Sequence, residues 1–564
     1  MNERRVGHRA LFYGRREFCE NLAMSELPPP HLTDALDRAA RLQPEQIAIR
    51  VPGPRHNRFG FARYDELLTF GELQKRSTAL ARGLLHRTPL ERGDRVVVML
   101  KPTLDFFVSM FALFRAGMVP VLIDPGIPRA SLKQCLREAD PQGFIGLPMA
   151  HLARRVLGWA PSANVHLTTG HGWFGNRRLR DLRCSDELEL PTPGADDLAA
   201  ILFTSGSTGV PKGVEYKHRH FIGQLELLRD AFGIEPGGTD FPTFPPFALF
   251  DPALGLTSVI PDMDARKPAQ ADARKLHDAM QRFGVEQLFG SPALMKVLAE
   301  YGKPLAGLRR VTSAGAPVPP ATVAKIQALL PDDAKFWTPY GATECLPVAV
   351  IEGRQLLGTR IATEQGAGTC VGRPLPGNDV RIIRIVDGPI ANWDETVACA
   401  PGEIGEITVV GPSTTEAYFN RPDLTFKAKI SECDRAVHRM GDAGYLDAQG
   451  RLWFCGRLSQ RVRTADGDLH TEQVEPIFNT HPSVLRSALV GVEGEPVVLV
   501  ELDPRTPHSW DGIRAELRAL AMQLPLTQGI KRFLPHRKFP VDIRHNAKIR
   551  REDLAVEAAR RLRA

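Results

Sequence analysis

The apolar run Leu198 to Phe203, LAAILF, opens directly into TSGSTGVPKG, Thr204 to Gly213. A short apolar run bounded by Asp197 on one side and small polar residues on the other predicts a buried strand that ends in a loop. The composition of that loop limits what it can hold. Its glycines let backbone N–H groups approach a ligand closely, the hydroxyls of Thr204, Ser205, Ser207 and Thr208 add donors, and Lys212 adds positive charge. Polyphosphate is the ligand that suits all three. The common P-loop, GxxxxGK followed by Ser or Thr, is not what the residues spell, because counted from Gly206 its closing positions fall on Pro211, Lys212 and Gly213. A kinase or GTPase is therefore a poor reading. The bland alternative, a flexible Ser- and Gly-rich surface loop, does not account for so ordered a string.

Around this loop the chain alternates helical patterns with short apolar runs. Leu32 to Arg41 and Phe70 to Arg87 predict helices, while Arg95 to Leu100, Val119 to Ile123, Leu198 to Phe203 and Leu308 to Ser313 predict strands. Such alternation predicts an α/β body with helices packed on sheets. Beyond Gly377 the runs become shorter and richer in β-formers, as in Val380 to Val386 and Glu406 to Val410. After Gly456 comes a compact segment with strands at Arg461 to Arg463, Ala488 to Val492 and Val497 to Leu502 and a helix at Trp510 to Met522. The expected organisation is a basic leader at 1–30, a large N-terminal domain of stacked sheets and helices with a β-rich subdomain at 31–457, and a small mobile α+β C-terminal domain at 458–564.

Composition narrows the class. At 564 residues, 43% hydrophobic and 24% charged, the chain suits a multidomain globular protein. Its densest apolar stretch, Phe106 to Phe114, falls short of the ~18 residues a membrane helix needs and predicts a core helix instead. The eight cysteines are scattered without a CxxC pair, which predicts reduced thiols in a cytoplasmic protein. The formal charge is +7, and from Lys531 to Ala564 eleven Lys or Arg stand against four acids. This terminal excess suits a lobe that handles phosphates, an acidic partner or peripheral contact with an anionic membrane. It lacks the interleaved aromatics of a nucleic-acid surface. The first 23 residues hold five arginines and three glutamates and no apolar h-region, so no signal peptide is expected, and Met24 offers a second start.

Read in order with LTFGEL (Leu68 to Leu73), GDRV (Gly93 to Val96) and RAGMVPVLIDP (Arg115 to Pro125), the loop resembles the phosphate loop of the AMP-forming adenylating superfamily. That superfamily includes acyl-CoA synthetases, nonribosomal-peptide adenylation domains and luciferases. The resemblance implies that Thr204, Ser205, Gly206, Ser207, Thr208 and Gly209, with Lys212, steer the β- and γ-phosphates of ATP. Tyr340, Gly341, Ala342, Thr343 and Glu344 resemble its YGxTE motif, which implies Tyr340 on adenine, Thr343 at the α-phosphate and Glu344 on Mg²⁺, for which a carboxylate oxygen is a suitable hard ligand. Gly315, Ala316 and Pro317 match its small-residue slot beside adenine. Asp442, in RMGD, matches the aspartate that accepts from the ribose hydroxyls, and Arg457 the arginine that reaches ribose or phosphate. Asn546 to Arg551, NAKIRR, resemble the terminal motif whose lysine, here Lys548, bridges the substrate carboxylate and the α-phosphate. Arg550 and Arg551 are read as solvent-facing or ion-paired. Cys345 reads as a packing residue rather than a nucleophile. Each short motif alone is a commonplace turn; their order gives them weight.

Departures from the superfamily's usual pattern bear on the acceptor. Ser459 stands at the hinge where many relatives have Asp, and Ala465 and Asp466 replace two glycines common in CoA ligases. Ala248 stands where many relatives carry a histidine beside the acyl site, and Phe241, Phe244, Phe247 and Phe250 recur every third residue. These rings fit either an acyl tunnel or an ordinary core. FALFDPALG, the altered hinge and RHNAKIRRE together resemble the β-lactone synthetases of bacterial long-chain olefin biosynthesis. That implies a long-chain β-hydroxy acid, held near Phe247, Ala248, Phe250 and Asp251, adenylated with ATP and Mg²⁺ and closed by its own hydroxyl to a β-lactone. Other enzymes of an olefin pathway are then the expected partners. A long-chain fatty acyl-CoA ligase is the second enzyme reading, and a non-catalytic nucleotide- or acyl-binding partner in a pathway complex is the reading of another class.

Overall fold

The computed structural model describes residues 31–124, 127–170, 176–204, 211–505, 509–541 and 549–563. The leader at 1–30 lies outside them. The chain forms two compact units, one built from residues up to Ala265 with 274–289 and 417–422, the other from 266–273, 290–416 and the rest of the chain from Asp423.

In the first unit the expected α/β alternation is present. A helix runs Leu32–Leu42 and another Phe70–Arg87, the latter started by a capping box in which Thr69 Oγ1 accepts from Glu72 N and the Glu72 carboxylate accepts from Thr69 N, both at 3.2 Å. A sheet orders the strands Arg177–Arg178, Val165–Thr168, Gly143–Gly146, Arg95–Met99, Val119–Ile123, Leu198–Thr204 and Lys212–Lys217. All pair in parallel except the last, which folds back antiparallel on Leu198–Thr204. Parallel strands need crossovers, supplied here by the helices Leu104–Arg115, Arg129–Ala139 and Pro148–Leu157. Phe106 to Arg115 are all buried, as a core helix requires. Ile47–Val51, Thr257–Val259 and Thr239–Pro242 pair in parallel, with Glu66–Thr69 antiparallel on Ile47–Val51.

The second unit begins with Arg310–Ser313 in parallel with Lys335–Ala342. From there antiparallel pairing takes over: Lys335–Ala342 with Cys345–Glu352, then Thr369–Pro374, Leu452–Arg457, Arg435–Leu446, Gly405–Val410 and Asp379–Ile383 in spatial order. The strand expected to reach Val386 stops at Ile383. Its continuation is drawn off the ladder because Arg439 takes the carbonyls of Val386 (2.7 Å) and Gly388 (2.6 Å).

The segment from Arg461 has a core of its own. Val484–Val492 and Glu495–Leu502 form a hairpin closed by Glu493 (φ 52°) and Gly494 (φ 82°), the left-handed pair a two-residue turn demands. Arg532–His536 adds in parallel. Alternation along these strands is complete: Leu489, Val498 and Val500 face the helices Thr471–Phe478 and Trp510–Ala521, while Ala488, Val490, Val497 and Leu499 face Leu554 and Ala558 of helix Arg551–Arg563. Among the described residues no helix is long and apolar enough to cross a membrane, and the described cysteines are free thiols.

Candidate functional site

The second unit assembles a buried polar cluster from three strands. Asp442 sits on Arg435–Leu446, directly opposite Arg457 on Leu452–Arg457. Arg457 Nη1 lies 2.9 Å from Asp442 Oδ1, and Tyr340 Oη, on Lys335–Ala342, donates to Asp442 Oδ2 at 2.6 Å. Only 2% of the Asp442 side chain is exposed. Burial raises its pKa above the ordinary carboxylate range, against the pull of Arg457 and the Tyr340 hydroxyl, and the nearby Glu344 adds to the rise. Burial, and then the Asp442 charge, push the Tyr340 phenol well above its usual value, so it remains a donor. The Arg457 N–H that faces the cluster is directed at the Met440 carbonyl, 3.2 Å away, so Asp442 Oδ1 is ion-paired without a well-aimed hydrogen bond. A buried acceptor with that capacity left suits a ligand hydroxyl. The tyrosine expected on adenine thus also grips the aspartate expected on ribose.

Thr343 and Glu344 occupy the turn between Lys335–Ala342 and Cys345–Glu352. Gly341 cannot be larger, since a Cβ there would stand 2.7 Å from the Cys345 carbonyl oxygen. The Glu344 carbonyl accepts from Thr415 N (2.8 Å) and Thr415 Oγ1 (3.1 Å), and the buried Lys429 ammonium holds the Thr415 carbonyl in turn. Two carboxylates, Glu344 and Asp442, therefore share one field with Arg457. Among the described residues no cluster of three His, Cys, Asp or Glu side chains forms a ready-made metal cage, so Glu344 alone offers the hard carboxylate oxygen that suits Mg²⁺ with phosphate and water as its other ligands. Gly315, Ala316 and Pro317 follow strand Arg310–Ser313 in a loop where Gly315 takes φ +99°, a conformation side chains disfavour. Cys345 is fully buried, its Sγ 3.1 Å from Thr414 Oγ1, and burial raises its thiol pKa, as a packing residue requires.

Beneath Asp442, three residues earlier on the same strand, Arg439 pairs with Glu406, Nη2 to Oε2 at 2.6 Å, both nearly sealed from solvent. It also donates to the two carbonyls past the Asp379–Ile383 strand and, at 3.4 Å, to the Lys427 carbonyl. Sequence reasoning quoted Arg439 only as a motif letter; Glu406 stands 33 residues away with no local signal of the partnership.

In the first unit Thr204 pairs in register with Lys212 across the antiparallel strands, so the two ends of the loop expected to bind phosphate lie side by side. Ser205, Gly206, Ser207, Thr208 and Gly209 lie outside the described residues. Lys212 Nζ stands 4.7 Å from the centroid of the Tyr418 ring, which reaches it because segment 417–419 runs along the strand: Phe419 N donates to Gly213 O at 2.7 Å and Glu215 N to Ala417 O at 3.2 Å. Tyr418 was not foreseen, since it lies about two hundred residues downstream in a segment without a motif.

Ala248 and Asp251 are buried, and the four phenylalanines divide. Phe241 and Phe250 are buried, Phe250 with its ring 6.0 Å from Phe221, while Phe244 and Phe247 are partly exposed and pack edge-on at 5.1 Å, Phe247 also 4.7 Å from Phe289. Phe244 and Phe247 keep more exposed ring surface than Phe241 and Phe250. In the terminal motif Lys548 lies outside the described residues. Arg550 is exposed beside Asp553 (3.2 Å), and the partly buried Arg551 forks on Glu475, with contacts of 2.7 to 3.0 Å. Ser459 occupies a single turn, Leu458–Gln460, and Ala465 and Asp466 form the tight turn between Val462–Thr464 and Gly467–Leu469.

A match to the family described as AMP-binding enzyme spans residues 36–419, more than half of the chain. The chain belongs to the AMP-binding enzymes. Within that family it is 61% identical, over 94% of its length and 97% of the relative's, to a protein of Xanthomonas campestris pv. campestris named olefin beta-lactone synthetase. It is 58% identical to one of the same name from Stenotrophomonas maltophilia, over 95% and 99% of the two chains. Among solved structures it shares its fold with O-succinylbenzoate Coenzyme A synthetase from Bacillus subtilis in complex with ATP and magnesium ion (TM-score 0.72, 20% identity, 92% and 98% of the two chains). The family read from the ordered motifs and the α/β class read from alternation are those found, and this AMP-binding enzyme is of the ligase type.

Proposed function

We propose that this chain uses ATP and Mg²⁺ to activate a long-chain β-hydroxy acid as its acyl-AMP and then closes it to a β-lactone. The near-full-length 61% identity to a relative named olefin beta-lactone synthetase carries this reading. In the first half-reaction a carboxylate oxygen attacks the α-phosphorus and pyrophosphate leaves. In the second the β-hydroxyl oxygen attacks the acyl carbon and gives up its proton, and AMP departs with the anhydride oxygen. The attack is intramolecular, so no second substrate needs a path.

In this reading Thr204 to Gly209 and Lys212 hold the β- and γ-phosphates, Gly315 to Pro317 and Tyr340 flank adenine, and Asp442 and Arg457 take the ribose. Thr343 meets the α-phosphate, and Lys548 offsets charge between the carboxylate and the α-phosphate. Phe247, Ala248, Phe250 and Asp251 border the acyl chain. Glu344 would hold Mg²⁺, which neutralises phosphate charge when bound. The domain boundary falls near Arg457 to Ser459, with 458–564 as the moving lobe. Enzymes of an olefin pathway are its partners, and the cytoplasm is its place.

The test is product analysis with Mg-ATP and matched β-hydroxy and unsubstituted long-chain acids, each with and without CoA. A β-lactone, AMP and pyrophosphate from the β-hydroxy acid without CoA is the expected result. AMP release that requires CoA makes the protein an acyl-CoA ligase instead, and absence of any ATP turnover makes it a binding partner. Lys548→Ala should suppress pyrophosphate release; unchanged release removes the lysine's assigned role.

A further inference from the structure

Helix Pro148–Leu157 in the first unit has its amphipathic character inverted. Its inward side carries Ala150, packed on the core, and the buried His151, whose Nε2 lies 2.8 Å from the Leu167 carbonyl oxygen and whose ring centroid lies 5.1 Å from that of Phe144. Arg154, half-buried, lays its guanidinium over the same Phe144 ring at 5.9 Å. The outward side is apolar: Met149 is 71% exposed, Leu152 42%, Val156 74% and Leu157 43%. Met149, Leu152 and Val156 are spaced i, i+3, i+7, which places them on one stripe. Scattered exposed leucines need no explanation, but a continuous stripe on a solvent-facing helix does.

Charge beside the stripe indicates what covers it. The helix carries Arg154 and Arg155 and no acid, and Arg155 is exposed. From the neighbouring helix Arg129–Ala139, Lys133 Nζ comes within 3.7 Å of where a Cβ on Gly158 would sit, at the end of the same helix. An apolar ridge flanked by cations is the arrangement that suits a negatively charged lipid interface, where the ridge enters the headgroup boundary and the cations stay with the phosphates. We propose that helix Pro148–Leu157 docks the protein on an anionic phospholipid surface through Met149, Leu152 and Val156, with Arg155 and Lys133 facing the headgroups. The proposal rests on this helix alone and survives a different acyl substrate. For a long-chain acid and an uncharged lactone, a bilayer is also where substrate and product dissolve.

The full chain should co-sediment with vesicles of equal parts phosphatidylglycerol and phosphatidylcholine and not with phosphatidylcholine alone, and the binding should weaken as salt is raised. The double substitution L152D/V156D should bind the anionic vesicles about tenfold more weakly or worse, while a cooperative melting curve shows that the chain is still folded. K133E/R155E tests the charge side independently and should lower binding to the level of neutral vesicles. Equal binding by the wild type and both variants overturns the proposal, as does absence of wild-type binding to anionic vesicles at low salt. Self-association of the wild type that L152D/V156D abolishes, without vesicle binding, assigns the stripe to a second copy and also overturns it.

Discussion

Asp442 and Arg457 face each other across antiparallel strands with Arg457 Nη1 2.9 Å from Asp442 Oδ1, while Tyr340 holds the other carboxylate oxygen. This places an anion in a site that disfavours it, with one oxygen lacking a well-aimed hydrogen bond. Asp442→Asn keeps the shape and removes the charge. A charge-assisted hydrogen bond contributes about 1.5–3 kcal/mol, so the affinity for ATP should fall about 10- to 100-fold. Titration calorimetry with ATP checks it; an unchanged affinity would remove Asp442 from the ribose.

The strand that presents Asp442 depends on the buried Arg439–Glu406 pair. Breaking such a pair by removing one partner leaves an uncompensated charge and costs about 3–5 kcal/mol. Arg439→Met and Glu406→Gln should each lower the unfolding free energy from urea denaturation by that order, and the double substitution should cost less than the two together. A strictly additive cycle would mean the two side chains act separately.

The difference between what was legible and what was not follows from sequence distance. The start of helix Phe70–Arg87 is legible because its capping residues, Thr69 and Glu72, lie at and just after its N-terminus. The parallel strands were readable because burial on both faces leaves uninterrupted apolar runs. Tyr340, Asp442 and Arg457 could be named only through their motif order; that Tyr340 reaches Asp442 is a fact of tertiary folding over more than a hundred residues. Arg439 with Glu406 and Lys212 with Tyr418 had no local trace at all, since a salt bridge or a ring under a cation leaves no period in the sequence. The end of a strand at Ile383 was missed for the same reason: the group that draws the chain away is a guanidinium from Arg439.

A pH dependence follows from Glu472, whose Oε2 lies 3.0 Å from Thr369 Oγ1. Burial, and then the neighbouring Glu475, raise its pKa from 4.5 to about 7, with Arg551 pulling the other way. A carboxyl raised in the folded state stabilises the fold fully below its unfolded pKa, and that contribution is lost as pH rises through about 7. Glu472→Gln mimics the neutral form at every pH. Its melting temperature should equal that of the wild type at a pH below the unfolded value of 4.5 and exceed it near pH 8. Equal melting temperatures at both values would show that Glu472 ionises without penalty.

Lys212 and Tyr418 supply the last test, because the cation and the ring meet at 4.7 Å beside the end of the proposed phosphate loop. A cation over an aromatic face gains about 0.5–2 kcal/mol, more as water is excluded, and here the gain fixes where a long flexible side chain points. If Lys212 steers the terminal phosphates, removing the ring frees it to other rotamers, and the cost should appear in nucleotide binding before it appears in folding. Tyr418→Leu should raise KM for ATP in pyrophosphate exchange about 2- to 30-fold, whereas Tyr418→Phe, which keeps the ring, should stay near the wild type. Because Tyr418 is buried, a general packing defect would lower the melting temperature of the leucine variant and leave KM unchanged. The split between the two readouts decides whether the ring orients Lys212 or only fills space.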